Sequence, residues 1–264
     1  MAAAAQSVAA RPAAVSLRVG RYSACIGTSS EIRTDALALR SRAFRKGADD
    51  EDTFDDQSLH GVVTCALAQP VVAFRARILT NHTDLAGCYT GQVYDLGTLM
   101  SAHGPWLELG RFCQADGPPD VMALRLAWAA LSVLVDRTGT QMMIGCSSLP
   151  GADPERHRAA LSLLRASHLG PATLRPRKLS PLAIDLPEDQ ITEASLPHLL
   201  RSYLGMGGWV SDHAVRDPNL DTLHLFTGLE IAAIPEPRKT RLRALAQTAQ
   251  QGDANPLDVA PAAP

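Results

Sequence analysis

Trp106-Leu107-Glu108-Leu109-Gly110-Arg111-Phe112-Cys113 reads as a short, mostly apolar strand that carries two opposite charges. A buried strand keeps Glu and Arg only where each finds a partner, because an unpaired charge there is very costly. An ion pair within the sheet is one account, and a functional pair is the other. Strict alternation sets Glu108 and Arg111 on opposite faces, and Gly110 between them permits a bulge that re-aims one of the two. Asp116-Gly117-Pro118-Pro119 follows, offering a cap, a turn and a first-turn proline for a helix. In that helix Val121, Leu124, Trp128, Leu131 and Val135 recur at three- and four-residue steps, one apolar stripe. A strand feeding a helix N-terminus is a place where backbone N–H groups hold phosphate.

The whole chain bounds the answer. Its 264 residues suit one large domain or two small ones, and 46% hydrophobic content is enough for a core. A net charge of −2 gives no global case for nucleic acid. No apolar run reaches the ~18 residues that suggest a transmembrane helix. Residues 1–14 are Ala-rich and lack the apolar core of a signal peptide, so we expect disorder there. Cys25, Cys65, Cys88, Cys113 and Cys146 are scattered without a CxxC pair, which suggests a reducing compartment and no zinc site.

Leu17 to Ile26 alternates loosely and reads as a first strand. Ser29 or Ser30 caps a helix whose apolar side is Ile32, Leu37, Leu39 and Phe44. Arg40, Arg42, Arg45 and Lys46 crowd its last turns, where cations suit the helix dipole. Residues 49–56 form an acidic run, in which Phe54 is unusual for a solvated loop. Strands are expected over His60–Leu67 and Val71–Leu79, the second with Arg75 and Arg77 on one face. His82–Gly91 reads as a loop and Gln141–Ser147 as the strand after the central helix. A helix follows from Asp153 through His168. Leu174-Arg175-Pro176-Arg177-Lys178 is a basic loop, and Leu196–Leu204 a helix ending at Gly205. Asp217 and Asp221 read as turn residues that cap backbone. Arg238–Arg243 is basic, and Gln247–Pro264 is expected to be disordered.

Glu108-Leu109-Gly110-Arg111-Phe112, Leu126–Trp128, Ile144-Gly145-Cys146-Ser147-Ser148 and the block Leu196–Leu229 together resemble the bacterial ornithine N-acyltransferases. These are GNAT-like enzymes related to the acyl-homoserine-lactone synthases, and the similarity runs from about Leu17 to Pro235. The resemblance implies an α/β fold of GNAT type, with a mixed, mostly antiparallel central sheet flanked by helices. It would occupy residues 16–236, between a disordered segment 1–15 and a basic, then Ala/Pro-rich tail 237–264.

The implied reaction is transfer of a 3-hydroxyacyl group from acyl carrier protein to the α-amine of L-ornithine, giving lyso-ornithine lipid. Glu108 would be the base or would orient the amine, and Arg111 would order the carboxylates or the carrier contact. Arg40 and Phe44 match positions beside the substrate cleft. Asp52 and Asp55 match a D-x-x-D pattern at the acceptor pocket, where carboxylates suit ammonium groups. Arg77 matches an R-L-L motif and would pair with Glu108 or Asp55, or hold the acceptor carboxylate; Arg75 has no counterpart. Phe112, Cys113 and Ser147 would line the cleft. Backbone donors near Arg111–Cys113 would face the thioester oxygen, and the pantetheine phosphate would approach Gln114–Asp120.

The GNAT phosphate loop Q/R-x-x-G-x-G/A is missing, which fits a carrier-protein thioester as donor, with no separate cofactor and no metal. Arg175, Arg177 and Lys178 would meet the acidic carrier. The expected place is the cytoplasm, with peripheral contact at the inner membrane through the lipid product. No acyl-cysteine is required, and the lack of a G-x-S-x-G elbow argues against a serine hydrolase. Two other readings stand beside this one. A homoserine-lactone synthase is opposed by the Leu196–Leu229 block. A non-catalytic lipid-binding protein is opposed by Glu108, Arg111, Asp52 and Asp55 at motif positions.

Overall fold

The computed structural model describes residues 14–189 and 193–251. Most of the Ala-rich start and residues 252–264 of the expected tail lie outside the described residues. The elements run β1 (Val15–Val19), β2 (Tyr22–Gly27), α1 (Ser30–Arg45), β3 (Leu59–Thr64), β4 (Pro70–Leu79), α2 (His82–Ala86), α3 (Tyr89–Val93), β5 (Tyr94–Asp95), β6 (Trp106–Gln114) and α4 (Val121–Thr138). They continue with β7 (Met142–Pro150), α5 (Arg158–His168), β8 (Arg177–Lys178), β9 (Ala183–Asp185), α6 (His198–Leu204), β10 (Trp209–Asp217), β11 (Thr222–Glu230) and α7 (Glu236–Gln250).

Among the described residues the main sheet has nine strands in the order β1-β2-β3-β4-β6-β7-β11-β10-β9. Of these neighbouring pairs, β6 and β7 run parallel and the others are antiparallel. The sheet is therefore mixed and mostly antiparallel, as the resemblance implies. The period-two alternation of its strands supplies two apolar faces. Val63, Val72, Phe74 and Leu107 pack on one face under α4 and α7. Val62, Ala73 and Cys113 pack on the other, under Ala36 and Leu39 of α1. The short α2 and α3 cover the same face as α1, over Leu79, Ile144 and Phe226.

Several boundaries differ from the sequence reading, each for a local reason. The first expected strand is a hairpin, because Gly20 takes a left-handed φ of 54° and turns the chain. Ser29 is the cap of α1, accepting from the Ile32 N–H. Asp120, not Asp116, caps α4, accepting from Met122 N and Ala123 N; such a cap stabilises by about 1 kcal/mol. The two prolines therefore precede the helix. Residues 82–91 are two short helices rather than a loop, and β7 extends to Pro150. The segment read as a tail from 237 forms α7, docked on α4 and tied to it by Arg243 and Asp136 at 2.8 Å. No helix among the described residues is long and apolar enough to cross a membrane.

Two features open the sheet at its centre. The parallel ladder between β6 and β7 stops after Glu108 and Ile144. Gly145 then lies so close to β6 that a Cβ there would sit 2.2 Å from the Leu109 carbonyl oxygen. Across the β4–β6 ladder, Gly110 faces Arg75 and Cys113 faces Ala73, so Arg111 and Phe112 oppose Phe74 alone. This is a bulge, and Arg111 at its head takes a left-handed φ of 52°. Such a conformation costs a non-glycine residue of order 1–3 kcal/mol.

Candidate active site

Where β6 and β7 part, a cavity of about 260 Å³ runs through the sheet. Phe112, Trp128, Leu199, Leu200 and Tyr203 make one end, on the α4 face. Phe112 stacks between Phe74 and Trp128, with ring centroids 5.5 and 5.8 Å apart. The other end, on the α1 face, is polar: Arg75, Tyr89, Thr90, Glu108, Arg111, Ser148 and His224, with Phe44 and Cys146 beside them. The bulge is what places Arg111 here. Without the extra residue, alternation would send it to the α4 face, away from Glu108.

Glu108 is buried, and its carboxylate is held by α3. Oε1 accepts from Thr90 N and Thr90 Oγ1, both at 2.6 Å, and Oε2 accepts from Tyr89 N at 3.4 Å. These are the free N–H groups of the first turn of a helix, a favourable setting for an anion. Glu108 thus has no arginine partner among its hydrogen bonds, so of the three roles open to Arg77, pairing with Glu108 is not the one observed. Although Arg77 faces Glu108 in the strand register, its guanidinium donates to the Gly87 carbonyl at 2.9 Å.

Arg75, which the sequence reading left unplaced, is the arginine that matters. It belongs to a buried network with Arg40, Arg111, Asp50, Asp52 and Asp55. Arg40 is fully buried and reaches Asp50 at 2.9 Å and Asp55 at 2.6 Å. Arg75 pairs with Asp55 at 3.1 Å and also with Asp52. Arg111 reaches Asp50 at 3.1 Å and Asp52 at 3.3 Å. Three buried guanidinium groups meet three carboxylates, and the part-exposed Arg45 also reaches Asp50 at 3.3 Å. Burial alone would raise the Asp55 carboxyl, but Arg40, the Asp52 N–H and Arg75 together hold it well below the usual carboxylate range.

The expected roles divide accordingly. Glu108, Arg111, Phe44, Phe112 and Ser147 all line the cavity. Arg40 and Asp55 do not, and Asp55 has its oxygens taken by Arg40, Arg75 and the Asp52 N–H. The D-x-x-D pair is therefore an internal counter-charge for arginines rather than a bare ammonium site. Cys113 packs against Ala36, Leu39, Val62 and Ala73, away from the cavity, and burial pushes its thiol up to about 12. Cys146 does line the cavity, but burial, with the nearby Glu108 charge, also pushes its thiol up, so neither cysteine offers a thiolate at neutral pH.

The helix end expected to meet a phosphate is occupied. The Asp120 carboxylate takes the Met122 and Ala123 N–H groups and accepts from Tyr22 Oη at 2.8 Å. Arg175, Arg177 and Lys178 lie on a separate open groove that shares no lining residue with the cavity. Arg175 is 3.4 Å from Asp212 and Lys178 2.8 Å from Asp185.

Sequence reasoning missed Thr90, Tyr89, Asp50, Arg75 and His224. For Arg75 the signal was present, in the alternation that put it beside Arg77. For Thr90 it was not, because residues 82–91 carried no helical period. Asp217 and Asp221 are turn residues, as read: Asp217 accepts from Asn219 N and Leu220 N, and Asp221 from Ala152 N.

A family model described as an acetyltransferase (GNAT) domain matches residues 36–128, the stretch that contains the bulge and Glu108. The L-ornithine N(alpha)-acyltransferase of Rhodobacter capsulatus is 25% identical over 248 residues, covering 88% of this chain and 96% of that protein. The enzyme of the same name from Rhizobium meliloti is 30% identical over 159 residues, or 56% of this chain and 53% of that one. Among solved structures, an N-acyl amino acid synthase from uncultured soil microbes is similar at a TM-score of 0.45 and 10% identity, over 86% of this chain and 96% of that one. A coenzyme A-dependent acyl-homoserine lactone synthase gives a TM-score of 0.46 at 10% identity, over 88% and 90%. The chain has a GNAT-type fold, resembles the ornithine N(alpha)-acyltransferases, and is an acyltransferase.

Proposed function

We propose that this acyltransferase moves a 3-hydroxyacyl group from acyl carrier protein to the α-amine of L-ornithine, yielding a lyso-ornithine lipid in the cytoplasm at the inner face of the membrane. The observation that carries the reading is the two-ended cavity where β6 and β7 part. Its aromatic and leucine end suits an acyl chain, and each buried methylene is worth about 0.8 kcal/mol there. Its charged end suits an amino acid, which brings ammonium and carboxylate together. The acyl thioester would lie at the junction, beside the edge that β6 loses when its ladder to β7 stops.

Glu108 is the group for the acceptor's ammonium. Oε2 has a single, long backbone contact, from Tyr89 N, and keeps room for another donor. Arg75 and Arg111, each at the cavity wall, suit the acceptor's carboxylate. The relatives named for L-ornithine acylation support ornithine as acceptor. The Asp120 carboxylate already fills the α4 N-terminus, so the phosphate of either donor would lie elsewhere, and the missing GNAT phosphate loop is what supports a carrier-bound pantetheine over free coenzyme A. Arg175, Arg177 and Lys178 remain the proposed carrier contact. Residues 16–236 remain the proposed catalytic unit, with α7 packed on it.

The test offers the purified protein 3-hydroxyacyl carrier protein with ornithine, lysine, glycine or S-adenosylmethionine. Ornithine should give an α-N-acyl product, and lysine a weaker one, by about 10–200-fold for one methylene. Lactone from S-adenosylmethionine with no ornithine product would overturn the assignment.

A further inference from the structure

The reaction must remove a proton from the attacking amine, and Glu108 is already engaged, with Oε2 given to holding that amine. Its Oε1 is filled by two short hydrogen bonds from Thr90. A second titratable side chain lines the same cavity and has the opposite character. His224, on β11, is buried, with Nε2 3.2 Å from Asp217 Oδ2. Its other ring nitrogen, Nδ1, is buried and has no hydrogen-bond partner. Buried polar atoms are rarely left so, and each one calls for an explanation.

The surroundings of His224 define which ring nitrogen carries the hydrogen. Asp217 cannot turn away, because its Oδ1 accepts from Asn219 N at 2.9 Å and Leu220 N at 3.2 Å. Its contact with the imidazole, aided by these turn amides, holds its carboxyl below the usual range against burial. A fixed carboxylate at Nε2 draws the N–H to that nitrogen and leaves a lone pair on Nδ1. The other titratable or charged groups around the ring are Tyr89, with centroids 6.1 Å apart, and Cys146, Glu108, Arg75 and Arg111 on the shared cavity wall. Burial pushes the Tyr89 hydroxyl and the Cys146 thiol up, so neither competes for the proton as an anion.

We infer that His224, held by Asp217, is the proton acceptor for the attacking amine, with Glu108 orienting that amine. This rests on the acyl-transfer reading above. The acceptor enters as an ammonium and releases one proton to solvent. The neutral amine then attacks the thioester carbon, forming the C–N bond. His224 Nδ1 takes the second nitrogen-bound proton, the C–S bond breaks, and the proton passes from the imidazolium to the departing thiolate. Asp217 stays ionised throughout and is a positioning residue.

The experiment compares wild type with His224→Gln and Asp217→Asn, following turnover against pH at saturating acceptor and carrier. His224→Gln should lose ~10²–10⁴-fold at neutral pH, the range for a lost general base, with the acid limb of the turnover profile gone and the carrier KM unchanged. Asp217→Asn keeps the turn acceptor but presents an amide donor to Nε2, which favours the tautomer protonated on Nδ1. It should lose turnover while leaving both KM values near wild type. Wild-type turnover and acid limb in a folded His224→Gln protein would overturn the inference; should that variant not fold, the same result in Asp217→Asn would do so. Nitrogen NMR of the resting wild-type protein, which needs no substrate, should show His224 protonated on Nε2 and bare on Nδ1. The reverse tautomer would overturn the assignment whatever the acceptor is. Failure of wild type to acylate ornithine, with the expected tautomer present, would count against the substrate reading alone.

Discussion

Two charged regions share the α1 face of the sheet, and they are satisfied to different degrees. In the network of Arg40, Arg75 and Arg111 with Asp50, Asp52 and Asp55, most oxygens already have guanidinium partners. Around Glu108 and His224, one carboxylate oxygen is only weakly held and one imidazole nitrogen is bare. The carboxylates of the first are closed off, which fixes the bulged strand and the acidic loop and holds Arg75 and Arg111 at the cavity wall. The second is left open toward the cavity. Charge density alone does not separate a site from a scaffold; unspent hydrogen-bonding capacity does.

The comparison breaks most severely at Arg40. Arg40→Met leaves two buried carboxylates short of their main partner, and breaking a buried pair from one side costs about 3–5 kcal/mol. Denaturant unfolding at neutral pH should read that loss, and a loss under about 1 kcal/mol would refute the structural role. Acid should act on the same group. The Asp55 carboxyl is held low in the fold, so its stabilisation is complete above the ordinary carboxylate pKa of about 4 and declines as pH falls toward the folded-state value. Asp55→Asn, less stable at pH 7, should show a flatter loss of stability on acidification than wild type.

Glu108→Gln sharpens the other half. The amide keeps a carbonyl oxygen for the Thr90 donors but loses the charge. We expect folding to change by under about 1 kcal/mol and acceptor KM to rise roughly 10–100-fold, the size of one charge-assisted hydrogen bond. Carrier KM should stay level. A collapse of turnover with loss of the acid limb, at unchanged acceptor KM, would make Glu108 the base and return His224 to a packing role.

Alternation and helical period, which are local, made the central strand, its helix and a bulge near Gly110 legible. The mixed sheet, and the placing of Glu108, Arg111, Phe44, Phe112 and Ser147 near one cleft, came from the resemblance. The sequence could not tell that Asp55 faces Arg40, since that pairing spans 15 positions through a loop with no period. The motif match chose Arg77 over Arg75, which lies on the same face; what separates them is the neighbour each meets, Asp52 and Asp55 for Arg75 and the Gly87 carbonyl for Arg77. His224 escaped because a lone histidine in an apolar strand carries no sign of its partner. The partner, Asp217, was read as a turn residue, and it is one, with its second oxygen free for the imidazole.

The smallest effect belongs to the basic groove, where charges are spent in a third way. Arg175 and Lys178 already face Asp212 and Asp185, and these pairs are at least partly exposed. Exposed pairs contribute little, about 0–1 kcal/mol, and exchange partners readily. An acidic carrier would therefore gain a modest attraction here, expressed in the association rate more than in the bound complex. Arg177→Ala and Lys178→Ala should each raise carrier KM by less than about tenfold, leaving turnover at saturating carrier and acceptor KM unchanged. The increase should disappear near 1 M salt, where the screening length falls to about 3 Å. Equal use of acyl-coenzyme A, or a KM indifferent to both salt and substitution, would remove this groove from the donor's path and leave the cavity mouth as the docking surface.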